Sequence, residues 1–348
     1  MADPAFICDR REALSALLIT HAHQDHVGAV QYLWPRLRCP VYATAFTLAL
    51  LRPKLAEAGL IDRVPLHEVR PGDRLSIDGF DVEWLDITHS TPESQALVIR
   101  TPAGRVFHTG DWKLDPGPVV GAHYRAADFE RLADESVDAM VCDSTNANVA
   151  GASISEATLK AGLYEAIKDA PGRVIVGCFG SNVARLATLA RVAQQTGRYA
   201  GVLGRSLDAY YRAARTAGVW PGDLRLVDAQ HLGYLPRHEV LAIATGSQGE
   251  PRAALDRLAA DSHPAFSVDP GDRLIMSARV IPGNERSVDA LIERLAQRGV
   301  DTVHDGDGPL PIHASGHPPE EDLRTLYGWV QPRTLIPVHG EPTHLDAQ

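Results

Sequence analysis

From Arg173 onward the sequence alternates apolar runs with amphipathic runs, and this alternation restricts the fold more than any other feature. Strand and helix patterns follow each other in four cycles, and such alternation predicts a parallel, doubly wound sheet. After about Val300 we expect a loop, a helix from about Pro319 to Trp329 and a last strand over Thr334–Val338. The predicted strands are Val174–Cys178, Tyr199–Leu203, Val240–Thr245 and Arg273–Ser277, and the predicted helices are Val183–Gln195, Leu207–Ala217, Arg252–Ala260 and Ser287–Arg298.

The first 150 or so residues predict a separate layer of sheet and helices. A run of small residues, 149–153, then leads into a helix in which Ser153 and Glu156 have the spacing of a capping box, and we expect a domain boundary there. The predicted strands of this first part are Leu14–Thr20, Val41–Ala43, Val82–Ile87, Ala96–Arg100, Val106–Thr109 and Ala139–Cys142, with helices from about Gly28 and over Phe46–Ala58.

Composition places the chain among soluble globular proteins. Its 348 residues are 45% hydrophobic and carry a net charge of −10, and no apolar run approaches the roughly 18 residues of a membrane helix. The amino terminus lacks the basic flank and long apolar core of a signal peptide, so we expect a cytoplasmic protein. The four cysteines show no C-x-x-C pairing, which argues against disulfides and against a thiolate zinc site.

One short motif carries the strongest chemical signal. His21-Ala-His23-Gln-Asp25-His26 directly follows an apolar strand, so that two imidazoles can converge on one point while Asp25 and His26 converge on a second point nearby. Imidazole and carboxylate ligands without thiolate suit zinc, with manganese as a harder alternative, at positions that leave room for water. The motif therefore predicts two adjacent catalytic metal sites.

This motif resembles the H-x-H-x-D-H signature of the metallo-β-lactamase superfamily, and later motifs resemble its β-CASP branch, the ribonuclease J family in particular. The resemblance covers nearly the whole chain. It implies an α/β fold in which a β-CASP domain with a doubly wound parallel sheet, residues 153–308, is inserted into a metallo-β-lactamase αββα sandwich, residues 1–152 and 309–348. The supporting motifs are Thr88-His89-Ser90, His108-Thr-Gly-Asp111, Asp143-Ser-Thr-Asn146, Thr245-Gly-Ser-Gln-Gly-Glu250, His313-Ala-Ser-Gly-His317 and Pro337-Val-His339-Gly340.

The resemblance also implies a ligand set for two Zn²⁺ ions per chain. In that set one ion is held by His21, His23 and His89, the other by Asp25, His26 and His339, and Asp111 bridges them. Two such ions can share a hydroxide and stabilise both the attacking and the leaving oxygen of a phosphodiester. The resemblance thus implies that residues from separate motifs form one two-metal centre.

Further residues receive roles by the same resemblance. His317 is expected to donate to the scissile phosphate or the leaving 3′ oxygen, and Asp143 to orient a metal-site histidine, so the two count as catalytic together with Asp25. For Gly180-Ser-Asn182 a plain turn with a helix cap is the alternative to a phosphate site. The expected substrate-binding residues are His313, Ala314, Ser315, Gly316, His317, Ser181, Asn182, Arg185, Arg205 and Arg279.

The function implied is a zinc-dependent ribonuclease with endonuclease and 5′–3′ exonuclease activity, acting on RNA with a preference for 5′-monophosphate ends. The family further implies homodimers or homotetramers and no membrane association. A β-CASP nuclease for other nucleic acid processing is one alternative, and a truncated, non-catalytic RNA-binding chain is another. Twenty residues precede His21 and nine follow His339, fewer than the family has, so we expect a sandwich that is incomplete at both ends.

Overall fold

The computed structural model describes residues 3–348 and divides into two compact units. Of the described residues, the first unit comprises 3–153 and 316–348, and the second comprises 154–315. The second junction therefore lies seven residues later than expected, because residues 309–315 pack within the second unit. There the Pro311 carbonyl lies where only a glycine, Gly162, leaves room for it, and the Ile312 amide donates to Asp305 Oδ1 at 2.8 Å.

The first unit contains two sheets. A six-stranded mixed sheet has the order β14-β8-β7-β6-β5-β4, and a three-stranded parallel sheet has the order β1-β2-β3. From the pairing directions β5, β7, β8 and β14 run the same way, so their carboxyl ends lie at one edge. The strands are β1 Leu17–Leu18, β2 Val41–Ala43, β3 Leu66–Glu68, β4 Arg74–Ile77, β5 Phe80–Asp86, β6 Gln95–Thr101, β7 Gly104–His108, β8 Ala139–Asp143 and β14 Thr334–Val338.

Alternation along β5 fills the core of this unit on both sides of the mixed sheet. Val82 and Trp84 form a cluster with Leu18 and Tyr42 of the smaller sheet, whereas Leu85 packs with side chains of the helices on the opposite face. The two sheets thus face each other across an apolar layer. The helices of the unit are α1 Ala5–Cys8, α2 Gln24–Val27, α3 Val30–Leu37, α4 Ala45–Glu57, α5 Ala126–Glu135, α12 Glu320–Val330 and α13 Pro342–Ala347, with a 3₁₀ helix at Arg11–Ala13.

The second unit contains the parallel sheet that the alternation predicts. Its order is β10-β11-β9-β12-β13 and every neighbouring pair is parallel. All residues of β9 and β11 are buried, as expected for strands covered by helices on both faces. The elements are β9 Val174–Gly177, β10 Tyr199–Leu203, β11 Val240–Ala244, β12 Arg273–Met276, β13 Asp301–His304, α6 Leu159–Lys168, α7 Val183–Gln195, α8 Arg205–Thr216, α9 Ala229–Leu232, α10 Ala254–Ala259 and α11 Glu285–Gln297, with 3₁₀ helices at Glu156–Thr158 and Arg237–Glu239.

Two local expectations were wrong in kind, and a third in extent, because the strand expected over Leu14–Thr20 is limited to Leu17–Leu18. Residues 301–304 form the edge strand β13 instead of a loop, and their polar, partly exposed side chains explain why hydrophobicity did not reveal it. The helical segment after the first junction is capped by Ser155, whose Oγ accepts from the Ala157 amide at 3.3 Å, and not by Ser153. Glu156 does not close a capping box, since its carboxylate is buried against Arg185. Among residues 3–348, no helix has the length and apolar character needed to cross a membrane.

Candidate metal centre

Four loops that follow strands of the first unit, and the last residue of a fifth strand, supply the polar side chains of this centre. The hexad motif follows β1, His89 follows β5, and Asp111 follows β7. Asp143 ends β8 and His339 follows β14, and the parallel register of these two strands sets Val338 beside Asp143. Because four of the strands end at one edge of the mixed sheet, their terminal side chains converge there.

An isolated pairing holds the loops of His89 and Asp111 together. The Lys113 amide donates to the Thr88 carbonyl at 2.8 Å, and the Thr88 hydroxyl donates to the Lys113 carbonyl at 2.6 Å. Each residue of this pair lies one or two positions from a metal-ligand candidate. The backbone thereby fixes the spacing of His89 and Asp111 without using their side chains.

The first group of donor atoms consists of three imidazoles and one carboxylate. His23 Nδ1 lies 3.2 Å from His21 Nε2 and 2.9 Å from His89 Nε2, and His21 Nε2 lies 3.5 Å from Asp111 Oδ2. Three of these residues are buried and His23 is half-buried. Their donor atoms point at a shared centre.

The second group shares Asp111 with the first. His26 Nε2 lies 3.3 Å from both Asp111 Oδ2 and Asp25 Oδ2. His339 Nε2 lies 3.3 Å from Asp25 Oδ2 and 3.5 Å from Asp111 Oδ2. One carboxylate oxygen of Asp111 therefore contacts ring nitrogens from both groups.

These separations fit divalent metal ions. Zinc binds histidine nitrogen at about 2.0–2.1 Å in tetrahedral geometry, which sets neighbouring donor atoms about 3.3 Å apart. The donor separations here range from 2.9 to 3.5 Å. Within each group all donor atoms lie within 4.8 Å of one another. The structure therefore brings these residues together at separations that suit divalent ions.

Burial keeps the imidazoles of the first group neutral. Desolvation, together with the neighbouring imidazoles, holds the pKa of His21 and of His89 well below the ordinary histidine value. Burial also lowers the pKa of His23 to about 4. A neutral imidazole has the free lone pair that a metal ligand needs.

Carboxylates determine the charge of the second group. Although burial opposes it, hydrogen bonding to Asp111 and Asp25 raises the pKa of His26 to about 9. Hydrogen bonds to Asp143 and then Asp25 raise the pKa of His339 to about 10. Hydrogen bonds from His26 and His339 hold the pKa of Asp25 far below its usual range. This half of the site attracts cations, and a divalent ion would replace the two ring protons.

Sequence reasoning missed several residues that orient the imidazoles. Thr20 Oγ1 lies 3.1 Å from His21 Nδ1, Ser90 Oγ lies 3.2 Å from His23 Nε2, and the Gly316 carbonyl accepts from His89 Nδ1 at 2.6 Å. A Cβ on Gly316 would lie 2.9 Å from the His89 ring, so glycine is needed there. Metal-ligating histidines usually bond their second ring nitrogen in this way, and the short hydroxyl residues beside the ligands were the available signal.

Asp143 lies behind the second group and contacts two histidines. Its Oδ2 accepts from His317 Nδ1 at 2.7 Å, and its Oδ1 lies 3.4 Å from His339 Nδ1. Thr145 Oγ1 lies 2.8 Å from both Asp143 Oδ1 and His339 Nδ1. His339 has a positive φ of 58°, a strained backbone region for this residue type, and the Thr145 hydroxyl contacts its carbonyl at 2.7 Å.

In the second unit, two of the expected phosphate-binding residues have internal partners. Asn182 caps α7, with its Oδ1 accepting from the Arg185 amide at 2.9 Å and its Nδ2 donating to Glu156 Oε1 at 3.1 Å. Arg185 is 1% exposed and its three guanidinium nitrogens donate to Glu156, Ser277 and the Ile312 carbonyl. Arg185 is thus an interior residue. Asn182 caps a helix, which is the alternative to a phosphate site that the sequence left open.

The remaining expected substrate residues vary in exposure. Arg205 and Arg279 are exposed, Ser181 and Ser315 are half-buried, and Ala314 is buried. His313 is half-buried, and burial followed by the charge of Arg185 lowers its pKa to about 4. Gly316 and His317 belong to the first unit, whereas residues 313–315 belong to the second.

Three family models match this chain in sequence order. Residues 2–144 match the beta-lactamase superfamily domain, residues 171–295 match the ribonuclease J beta-CASP domain, and residues 311–348 match the Zn-dependent metallo-hydrolase RNA specificity domain. The matches follow the two units of the structure, with the beta-CASP model inside the second. They define the class of protein: an α/β metallo-β-lactamase fold carrying an inserted β-CASP domain.

Curated relatives with high sequence identity indicate which family within this class the chain belongs to. The chain is 42% identical over 347 residues to ribonuclease J of Sinorhizobium meliloti, 36% identical to ribonuclease J of Thermus thermophilus and 37% identical to that of Mycobacterium tuberculosis. These alignments cover 97 to 100% of this chain but only 60 to 61% of each relative. The chain belongs to the ribonuclease J family.

Among solved structures, a protein of unknown function from Enterococcus faecalis V583 has a similar fold. The TM-score is 0.64 at 16% sequence identity, and the match covers 95% of this chain and 76% of the other. This likeness supports the fold alone.

The interior position of Arg185 predicts a stability effect. Replacing Arg185 with Ala leaves the Glu156 carboxylate, 2% exposed, without its charge partner, and we expect a loss of about 3–5 kcal/mol in the free energy of unfolding. Urea denaturation followed by circular dichroism measures it. Arg279→Ala, an exposed control, should change stability by less than about 0.5 kcal/mol. A stable Arg185→Ala variant that has lost only phosphate binding would contradict this.

Proposed function

We propose that this chain is a metal-dependent ribonuclease that hydrolyses RNA phosphodiester bonds at a centre for two zinc ions. The observation that carries the proposal is the shared carboxylate of Asp111, which lies within 3.5 Å of ring nitrogens from both donor groups. Paired metal sites of this kind serve phosphodiester hydrolysis. The ribonuclease J relatives and the match to an RNA specificity domain support RNA as the substrate.

The ligands would be divided as the family resemblance implies. His21, His23 and His89 would hold one ion, and Asp25, His26 and His339 the other, with Asp111 between them. When bound, the two ions supply an activated water at neutral pH and neutralise charge on the reacting phosphate. Neutral, buried imidazoles on one side and carboxylates on the other give unlike sites, so the two ions should differ in affinity. Manganese is the harder alternative for the same ligand types.

His317 is the proposed donor to the leaving oxygen. Asp143 Oδ2 accepts from His317 Nδ1 at 2.7 Å, which fixes the ring and directs Nε2 away from the carboxylate. When its ring carries both protons, His317 can pass the Nε2 proton to the leaving 3′ oxygen, while the Nδ1 proton stays on the ring, hydrogen-bonded to Asp143. Asp143 acts as a positioning residue, since its contacts are with His317 and His339.

Loops at one edge of the parallel sheet are the proposed contacts for the 5′ end of RNA. Ser181 follows β9, Arg205 follows β10 and Arg279 follows β12, and carboxyl ends of parallel strands share an edge. A side chain on Gly180 would collide with Ser206, so the loops after β9 and β10 are in contact. The exposed guanidinium groups have no carboxylate partner among residues 3–348 and suit a 5′-monophosphate.

We further propose both internal cleavage and 5′–3′ exonuclease action, with the terminal phosphate recognised only in the second. We place this activity in the cytoplasm, where RNA substrates occur and where free thiols such as the four unpaired cysteines persist. Assembly into homodimers or homotetramers stays a prediction from the family.

Replacing His21 or His23 with Ala should abolish cleavage, because the activated water requires both ions. Metal content by mass spectrometry should fall from about two ions per chain toward one. His123→Ala, which changes an exposed histidine outside the centre, is the control and should keep both metal and rate. Parental cleavage rates in the His21 variant, with metal content unchanged, would refute the assignment.

His317→Ala should separate chemistry from binding. We expect about 100-fold slower cleavage or more, typical of a lost general acid, with metal content and RNA affinity kept. Single-turnover rates on a labelled RNA and metal analysis of the same sample give the two readings. Asp143→Asn should slow cleavage less, since His317 remains. Joint loss of metal and RNA affinity in the His317 variant would make it a structural residue.

Arg279→Ala should reduce the preference for 5′-monophosphate RNA over 5′-triphosphate RNA by about tenfold or more, since a hydrogen bond to a charged group contributes roughly 1.5–3 kcal/mol. Internal cleavage should persist, because internal sites present no terminal phosphate. Mapping product ends on both RNAs separates the two activities. Arg191→Ala, which changes a half-buried arginine paired with Asp223, is the control. Proportional loss of both activities would make Arg279 a general backbone contact.

A further inference from the structure

The second unit contains a cavity of about 870 Å³, and Arg205 is the only lining residue that the proposed mechanism uses. It lies at the carboxyl end of β10, and one wall is a face of α8 on which Arg205, Asp208 and Arg212 follow at helical spacing. The opposite wall includes residues 228–234 and 263–265. These segments meet closely because Gly233 has no side chain: a Cβ there would lie 2.3 Å from the Ala265 carbonyl. None of the metal-ligand candidates lines the cavity.

The lining has a positive character in a chain whose net charge is −10. Three arginines face two aspartates, and Asp208 is already paired with Arg212 at 2.9 Å. The Asp228 carboxylate caps α9 by accepting from the Gln230 amide at 2.8 Å. Arg205 and Arg257 have no carboxylate partner among residues 3–348, and the Arg257 Nε donates only to the Arg252 carbonyl. The exposed guanidinium group of Arg257 thus remains for an anion, next to Arg205, which is shared with the proposed 5′ contacts.

Two tyrosines add flat surfaces to the same cavity. Tyr234 is 88% exposed, the most exposed of the large hydrophobic side chains that the structure describes. Tyr211 is half-buried and is held edge-on against Trp220, with ring centroids 4.8 Å apart. Exposed tyrosine rings can stack on flat groups of a ligand while their hydroxyls stay solvated.

We propose that this cavity is an accessory site for single-stranded RNA, in which Arg257 contacts a backbone phosphate and Tyr234 and Tyr211 stack on bases, next to the 5′-phosphate contact proposed for Arg205. Positive charge next to aromatic faces is the combination by which proteins bind single strands without reading sequence. A cavity of this volume accommodates one or two nucleotides, and its open mouth suits a strand that continues beyond it. The inference rests on the proposed function, because it takes RNA as the substrate.

The test measures RNA binding without cleavage. Fluorescence anisotropy with a labelled single-stranded RNA of about ten nucleotides, in the presence of a chelator, reports binding by the full chain while hydrolysis is prevented. We expect Tyr234→Ala to weaken binding about tenfold and Tyr234→Trp to retain it, since stacking needs only a flat ring. We expect Arg257→Gln to weaken binding and to lower the salt dependence by about one charge.

Matched controls lie elsewhere in the unit. Tyr199→Ala changes a half-exposed tyrosine at the start of β10, the opposite end from the cavity, and Arg191→Gln removes an equal charge outside it. Both should bind RNA as the parent does. Parental affinity in the Tyr234→Ala and Arg257→Gln variants would overturn the accessory site and leave the proposed function intact, whereas a parent chain without RNA affinity would overturn both. Equal displacement of the RNA by adenosine monophosphate would instead identify a mononucleotide site and overturn the strand assignment.

Discussion

The carboxylate of Asp111 is the constraint on which the first unit depends. It is 3% exposed, and a buried charge is tolerated only where partners surround it. The partners here are ring nitrogens of His21, His26 and His339 at 3.3 to 3.5 Å, supplied by loops after the first and last strands of the unit. A group of donors from such distant positions exists only if both chain segments fold together. The centre is thus a product of the whole unit and not of the hexad alone.

Much of the fold could be predicted because its signals are local. Strands such as Val174–Gly177 and Val240–Ala244 are continuous apolar runs, and helix α7 was predicted with its observed bounds, Val183–Gln195. The parallel sheet and the family are confirmed. Strand β13 was missed because its residues are polar and its strand character depends on hydrogen bonds to β12, a partner 28 positions earlier in the sequence. Edge strands carry weak hydrophobic patterns since one side faces solvent.

Sequence spacing indicated the candidate metal ligands, but it did not indicate the groups that hydrogen-bond to them. The motif indicated that His21 and His23 follow a strand, and the structure sets their ring nitrogens 3.2 Å apart. It did not indicate that the Gly316 carbonyl would accept from His89, because that contact joins positions 227 residues apart. The partner of the second ring nitrogen of a buried histidine can be identified only in the folded structure.

The arginines show most clearly why charge in a sequence does not locate a binding surface. Arg185 and Arg198 are buried, and the second donates to the carbonyls of Gly172 and Val240 at 2.9 and 3.1 Å. A guanidinium group whose N–H groups donate to carbonyls inside the protein is not available to bind a ligand. Arg205 and Arg279 carry the same charge, yet both are exposed at the carboxyl edge of the parallel sheet. Only exposed arginines can contact a phosphate. A chain with a net charge of −10 can therefore still have a cationic surface, and packing decides which of its arginines form that surface.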